Sequence, residues 1–161
     1  MKTSRNNVLE QCVTNEQVVQ YLIQLQANTY VLYVKTQNFH WNIVGEGFYF
    51  LHKMLEEQYE ELAEASDMIA ERLRAVEKNA LGSMRQFLEH TSLEEAENSG
   101  YTAMEMIEQL VNDHQAIARE LRGWFSEASK KNEDATADLF IERLRAHEKT
   151  AWMLRSHLSR G

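Results

Sequence analysis

Four side chains of the sequence carry nitrogen or oxygen donors at a spacing suited to a metal ion. His52 and Glu56 are four residues apart, and Asp67 and Glu71 repeat that spacing. In an α-helix, residues i and i+4 lie on one face, so both donors of each pair can point at the same ion. Imidazole combined with carboxylate is a ligand set for Fe(II), Mn(II) or Zn(II). His40 is a further candidate ligand.

The same residues also have a purely structural interpretation. A His/Glu pair at i,i+4 stabilises a helix by about 0.2–0.5 kcal/mol without any ligand. The acidic run over residues 56–64 would ordinarily be a solvated face. His114 and His147 fall on apolar stripes and are interpreted as satisfied core histidines, whereas His157, near the end of the chain, is interpreted as exposed to solvent.

The elements that carry these residues are predicted to be long helices. Apolar residues recur with a period of about 3.6 over residues 15–42, 48–78, 104–124 and 140–158. The chain has no Pro and only 6 Gly, so few residues interrupt a helix. The link 79–100 contains Ser92-Leu93-Glu94-Glu95, a capping-box spacing that predicts a short extra helix there. The pattern predicts an all-α fold, a four-helix bundle with one long connection.

Length and charge restrict the class of protein. At 161 residues the chain is predicted to form one domain, and its net charge of -8 has the wrong sign for a surface that grips polyphosphate. The single cysteine, Cys12, cannot form an internal disulfide. The sequence shows neither a signal-peptide core nor a run of 18 apolar residues. We therefore expect a soluble cytoplasmic protein with no membrane partner.

One helix cannot bring the two donor pairs to the same ion. His52 and Asp67 are fifteen residues apart, a rise of ~22 Å along the axis. If two copies of this helix pack antiparallel about a twofold axis near Tyr59 and Glu60, the His52 pair of one chain comes level with the Asp67 pair of the other. The Glu-x-x-His motif that builds a di-iron core inside one ferritin-like bundle is absent from the sequence. The spacing thus favours a centre shared between two chains.

A longer stretch around these residues resembles a known family. NFHWNIVGEGFYFLHKMLEEQYEELAEASDMIAERL, residues 38–73, is similar to the signature region of the Dps family, the miniature ferritins also called DNA-binding proteins from starved cells. The likeness extends to FLEHTSLEEA at residues 87–96 and HEKTAWMLRSHL at residues 147–158. The resemblance implies a single ferritin-like domain over residues 1–161 with a short N-terminal tail, 1–14. Its bundle would carry a short extra helix between helices 2 and 3.

The resemblance also implies a function. Members form dodecameric shells that oxidise Fe(II), preferably with hydrogen peroxide, and store the ferric mineral, which protects against oxidative damage. In such a ferroxidase the di-iron centre lies between two subunits, and zinc can substitute for iron. One subunit would supply His40, His52 and Glu56, where the family usually has Asp in place of the glutamate, and its partner would supply Asp67 and Glu71.

Two further expectations come from the resemblance. Trp41 matches a tryptophan near the iron site, where it would intercept stray oxidising equivalents or fill a hydrophobic interface. Asp138 matches an acidic residue of a threefold pore, which Glu133 and Asp134 would extend.

Two alternative functions remain open. The first is a nucleoid-associated, DNA-compacting protein with minor iron chemistry, and the second is a structural bundle whose acidic face is only solvated. DNA binding is expected to be weak, because the basic residues near the chain ends are only Lys2, Arg5, Arg155 and Arg160.

Overall fold

The computed structural model describes residues 15–97 and 100–158 as five helices, with no strand within those ranges. These are α1 (Glu16–Asn42), α2 (Phe48–Ala75), α3 (Met84–His90), α4 (Ala103–Lys130) and α5 (Asp134–Leu158). The all-α bundle with an extra short helix is confirmed. The predicted tail 1–14, with Lys2, Arg5 and Cys12, lies outside the described residues, as does Arg160. No described helix has the length and apolarity needed to cross a membrane.

The four long helices pack as two hairpins around a common core. α1 lies mainly against α2, and α4 mainly against α5, while α1 also contacts α3 and α4. The predicted apolar stripes are the buried ones, with Phe39 and Phe140 among the largest fully buried side chains. Three residues of these stripes differ: 43% of the surface of Met104 stays exposed at the beginning of α4, and Leu144 and Leu158 of α5 are half-buried. Burial of these stripes is the main favourable term that holds the helices together.

The short helix lies earlier in the link than the capping-box spacing predicted. Ser83, not Ser92, caps it, since the Ser83 hydroxyl accepts the N–H of Gln86. The prediction that Ser92 begins the short helix was wrong, because Ser92 is hydrogen-bonded to Asn28 of α1 instead. Its backbone N–H donates to the side-chain oxygen of Asn28 at 2.8 Å, and its hydroxyl accepts from the Asn28 amide at 3.0 Å. The buried Asn28 of α1 thus holds the link in a non-helical conformation.

The second helix ends three residues before the predicted boundary at position 78. Glu77 adopts a left-handed conformation with φ 61°, and the N–H of Lys78 donates to the carbonyl of Leu73 at 3.0 Å. A left-handed residue followed by this long backward hydrogen bond is the usual way to satisfy the last carbonyls of a helix. The apolar period continues to Val76, which is buried beyond the helix end, so periodicity alone placed the boundary too late.

Candidate metal centre

His40 and His52 lock each other into one orientation. The Nδ1 atom of each ring lies 2.8 Å from the backbone carbonyl oxygen of the other residue. A carbonyl oxygen only accepts, so both Nδ1 atoms carry a proton, and Nε2 is the nitrogen of each ring that is left for another partner. The rings stack with centroids 3.8 Å apart and planes 17° apart. Nδ1–H bonded to a carbonyl is the arrangement that orients a metal-binding imidazole.

The turn between α1 and α2 makes this pairing possible. Gly45 and Gly47 have φ values of 104° and 77°, a region that side chains rarely adopt, and they reverse the chain within five residues of Asn42. The reversal places the last turn of α1 beside the first turns of α2. His40 is 6% exposed and His52 is half-buried. Both rings are therefore held by their surroundings rather than free in solvent.

Glu56 lies near the two histidines but is bound to a lysine. Its carboxylate accepts a hydrogen bond from the Lys53 ammonium at 2.5 Å. This bond is the main cause that lowers the pKa of Glu56, partial desolvation opposes it, and the charges of Lys53, His40 and His52 add to the lowering. The carboxylate is thus ionised and available as a ligand at neutral pH. A metal ion would have to displace the lysine from this pair, which is open to solvent and therefore screened by water.

Asp67 and Glu71 lie elsewhere on the same chain. Both are exposed on α2, and the helix rise separates Asp67 from His52 by ~22 Å. Asp67 lines an open groove together with Tyr30, Tyr33 and other residues of α1 and α2. Across residues 15–97 and 100–158, no three His, Cys, Asp or Glu side chains gather closely enough to hold a metal ion. The fold therefore brings His40, His52 and Glu56 to one end and leaves the other two carboxylates apart.

The structure gives two acidic residues of the sequence analysis a structural partner. Glu61, within the acidic run, binds the guanidinium of Arg143 with both carboxylate oxygens, one of them at 3.1 Å. Arg143 is 2% exposed, so a charged residue of α5 is buried against α2. Glu133, expected near a pore, accepts the backbone N–H of Asn15 at 2.8 Å. Asp138 is exposed on the first turns of α5.

His114 and His147 are core residues, as predicted, but only half of their hydrogen-bonding groups are satisfied. Their Nδ1 atoms are 2.8 Å apart, which requires one of them to donate and the other to accept. Both Nε2 atoms are buried and have no hydrogen-bond partner. Burial, and to a lesser extent the charge of Arg143, lower the pKa of His114 to about 3. His157 is exposed, as predicted.

Comparison with known proteins places the chain in a family. The model of the ferritin-like domain matches residues 19–161. The DNA protection during starvation protein 2 of Bacillus anthracis is 37% identical over 145 residues, which cover 90% of this chain and 99% of that protein. The chain belongs to the Dps family of ferritin-like proteins. Membership in the Dps family supports a role in iron storage and protection.

Solved Dps structures share the whole fold. The crystal structure of Dps from Staphylococcus aureus matches with a TM-score of 0.89 at 36% identity, covering 92% of this chain and 99% of that one. Dps from Vibrio cholerae matches with a TM-score of 0.84 at 27% identity, covering 89% and 90% of the two chains. The latter is described as a member of a broad superfamily of ferritin-like diiron-carboxylate proteins.

Proposed function

We propose that this protein is a cytoplasmic ferroxidase and iron-storage cage that oxidises Fe(II) with hydrogen peroxide and keeps the ferric product inside a shell of twelve subunits. The observation that carries the proposal is the reciprocal bonding of His40 and His52. It fixes two imidazoles side by side, each with Nε2 left for a ligand, near the carboxylate of Glu56, whose pKa is lowered. Rings held in this way are prepared to bind a divalent cation before it arrives.

The remaining ligands would come from a second chain. Two α2 helices packed antiparallel about a twofold axis bring Asp67 and Glu71 of one chain to the histidines of the other. An apolar surface beside the histidines supports such a contact. Trp41, Val44, Tyr49 and Phe50 are each 65–73% exposed there. Large adjoining apolar side chains left open to solvent mark an interaction surface. In this arrangement Trp41 fills the interface next to the centre.

The donor set suits the oxidation of iron. Carboxylates stabilise Fe(III) more than Fe(II), because their negative charge interacts more strongly with the higher charge, so they favour loss of an electron. The two imidazoles bind Fe(II) as neutral ligands and limit the negative charge of the site. Two Fe(II) ions supply the two electrons that convert hydrogen peroxide to water. Zinc, which accepts the same ligands, would occupy the centre without turning over.

Mixed shells test whether the centre is shared. His52→Ala and Asp67→Ala subunits, co-expressed with different tags, form dimers in which one centre keeps every ligand and the other loses two. If subunits mix at random, we expect recovery of about a quarter of the wild-type centres, against little activity in either parent shell. Ferric absorbance after addition of Fe(II) and peroxide measures the recovery, and native mass verifies the mixed shells.

The matched control combines His52→Ala with His40→Ala. Both changes fall in the same half of the centre, so every centre of the mixed dimer lacks one histidine and no recovery is expected. Equal rates in the two mixtures would show that the histidines and the Asp67 carboxylate do not share a centre. Ferric absorbance no higher than in the protein-free reaction, for the wild type itself, would overturn the ferroxidase proposal.

A further inference from the structure

A row of aromatic rings runs from the histidine pair along the interface of α1 and α2. The ring of Tyr59 meets His40 edge-on with centroids 5.1 Å apart. The ring centroids of Tyr33 and Tyr59 are 6.1 Å apart, and those of Tyr30 and Tyr33 are 5.6 Å apart. Each ring is within the range at which aromatic side chains interact directly. Three tyrosines in succession thus connect the proposed iron-binding histidines with another part of the molecule.

The far end of the row opens into the groove that holds Asp67. Tyr30 and Tyr33 line this groove with Asp67, and both rings are half-buried. The Tyr33 hydroxyl accepts a hydrogen bond from the Gln37 amide at 3.2 Å, which leaves its own hydrogen free to be transferred. In the proposed pairing of chains, this groove provides the carboxylate half of the second centre. The row therefore leads, within one chain, from the histidine half of one proposed centre to the groove that holds the carboxylate half of the other.

We infer that Tyr59 and Tyr33 relay one oxidising equivalent from the iron bound at His40 and His52 to Fe(II) held in the groove at Asp67. The inference rests on the proposed function. It adds a route for electrons between two centres to the direct oxidation of two Fe(II) ions at one centre. Peroxide requires two electrons, whereas each Fe(II) gives one. A relay lets an iron ion of the neighbouring centre complete the reduction when only one is bound beside the histidines.

The steps balance in atoms and charge. Fe(II) at the histidines gives one electron to hydrogen peroxide, the O–O bond breaks, and Fe(III), hydroxide and a hydroxyl radical form. The radical takes the hydrogen atom of the Tyr59 hydroxyl and becomes water. Tyr59 regains an electron and a proton from Tyr33, which in turn takes an electron from the second Fe(II) and one proton (H⁺) from the solvent. With one more proton for the hydroxide, two Fe(II), one peroxide and two protons give two Fe(III) and two waters.

A packing role alone would not need the hydroxyl groups. Phenylalanine fills the same space and keeps the edge-on contacts, but its ring is not oxidised under these conditions. Trp41 lies outside the row, since none of the ring contacts of the described residues includes it and 65% of its surface is exposed. The relay is thus distinct from interception of oxidants by the tryptophan.

The test uses Tyr59→Phe and Tyr33→Phe in the assembled protein. Tyr21→Phe is the matched control, because Tyr21 stacks on Trp124 with centroids 5.4 Å apart and is not part of the row. Shells containing limiting Fe(II) are mixed with peroxide, frozen within milliseconds and examined by electron paramagnetic resonance. A spin trap in parallel samples measures hydroxyl radical that escapes.

We expect a transient tyrosyl signal in the wild type and in Tyr21→Phe. Tyr33→Phe should retain a tyrosyl radical that decays several-fold more slowly, because Tyr59 has lost its electron donor. Tyr59→Phe should lose the signal and release several-fold more trapped hydroxyl radical. The relay would be overturned if both variants showed the radical yield, the radical decay and the amount of trapped hydroxyl radical of the wild type. Normal ferric absorbance in that case would leave the ferroxidase proposal intact. Absence of ferric product in the wild type would overturn both.

Discussion

Two pairs of histidines face each other in this fold, and their hydrogen bonds give them different chemistry. His40 and His52 each donate Nδ1–H to a backbone carbonyl, so their outer nitrogens are available to a ligand. His114 and His147 bond to one another in the core, where both are almost fully buried. Burial there disfavours the charged form, which lowers the pKa of His114 to about 3 and that of His147 well below its ordinary value.

The buried pair makes stability depend on pH. An unfolded histidine gains a proton below about pH 6.5, whereas these two stay neutral in the folded chain until far lower pH. The unfolded state therefore binds more protons, and each histidine lowers the free energy of unfolding by about 1.4 kcal/mol per pH unit as the pH falls below 6.5. Their contribution is fully present above that pH. Urea unfolding at pH 7, 6 and 5, at one protein concentration, measures the slope.

A double substitution isolates this effect. His114→Leu with His147→Leu removes both partners at once and leaves no buried imidazole to protonate, so the pH slope between 6.5 and 5 should flatten. His157→Gln, on an exposed histidine, is the control and should keep the wild-type slope. The same slope in the double variant would show that other groups cause the loss of stability.

Among the contacts between elements, the pair of Glu61 and Arg143 joins α2 to α5. Arg143 is 2% exposed, and both oxygens of the Glu61 carboxylate bind its guanidinium. A charge buried to this degree is tolerated because it is paired and hydrogen-bonded. Glu61 therefore has a structural role, although the sequence places it in a run of glutamates that reads as one continuous acidic surface.

Loss of Glu61 should destabilise the bundle. Glu61→Ala leaves the buried guanidinium without its carboxylate partner; because 45% of the Glu61 side chain is exposed and water can take its place, we expect a loss of about 1–2 kcal/mol in the free energy of unfolding. Glu57→Ala and Glu64→Ala change exposed members of the same acidic run and should each cost less than about 0.5 kcal/mol. Chemical denaturation of the three variants measures the difference. A loss shared equally by all three would indicate that the charge of the run, and not the contact with Arg143, is responsible.

At the scale of the whole molecule, net charge favours the proposed iron-storing shell over the DNA-compacting alternative. The chain has a net charge of -8, and twelve copies in one shell would repel a polyanion. Only Lys2 and Arg5 precede the first predicted helix as candidate phosphate contacts. Binding through so few cations releases few counterions and is weak.

We expect no DNA retardation at ~0.15 M salt and weak retardation at much lower salt. A gel-shift titration with undamaged linear DNA measures both conditions. Replacing Lys2 and Arg5 with Gln should remove the low-salt retardation, whereas Arg155→Gln at the other end of the chain serves as the comparison. Tight retardation of DNA that persists at the higher salt would favour the DNA-compacting alternative.

The sequence by itself determined the helical architecture, because the information for it is local. Apolar residues at a period of 3.6 mark which face of each long helix is buried, and the absence of Pro allows those helices to continue. The same local rule places His52 with Glu56 and Asp67 with Glu71. The rise of one helix also predicts that the two pairs of one chain belong to different centres. Their sharing of ligands between chains stays a prediction.

Only the tertiary structure decided what the polar side chains bind, since their partners are distant in the sequence. Ser92 has the spacing of a helix cap, but its backbone N–H donates to the side chain of Asn28, which is sixty-four residues away. In the sequence, Glu61 and Glu133 look like their acidic neighbours. In the folded chain, Glu61 binds the guanidinium of Arg143, and Glu133 accepts the backbone N–H of Asn15. The orientation of His40 and His52 depends on a glycine turn that brings two helix ends together. A hydrogen bond needs both groups in place, and only the folded chain brings them there.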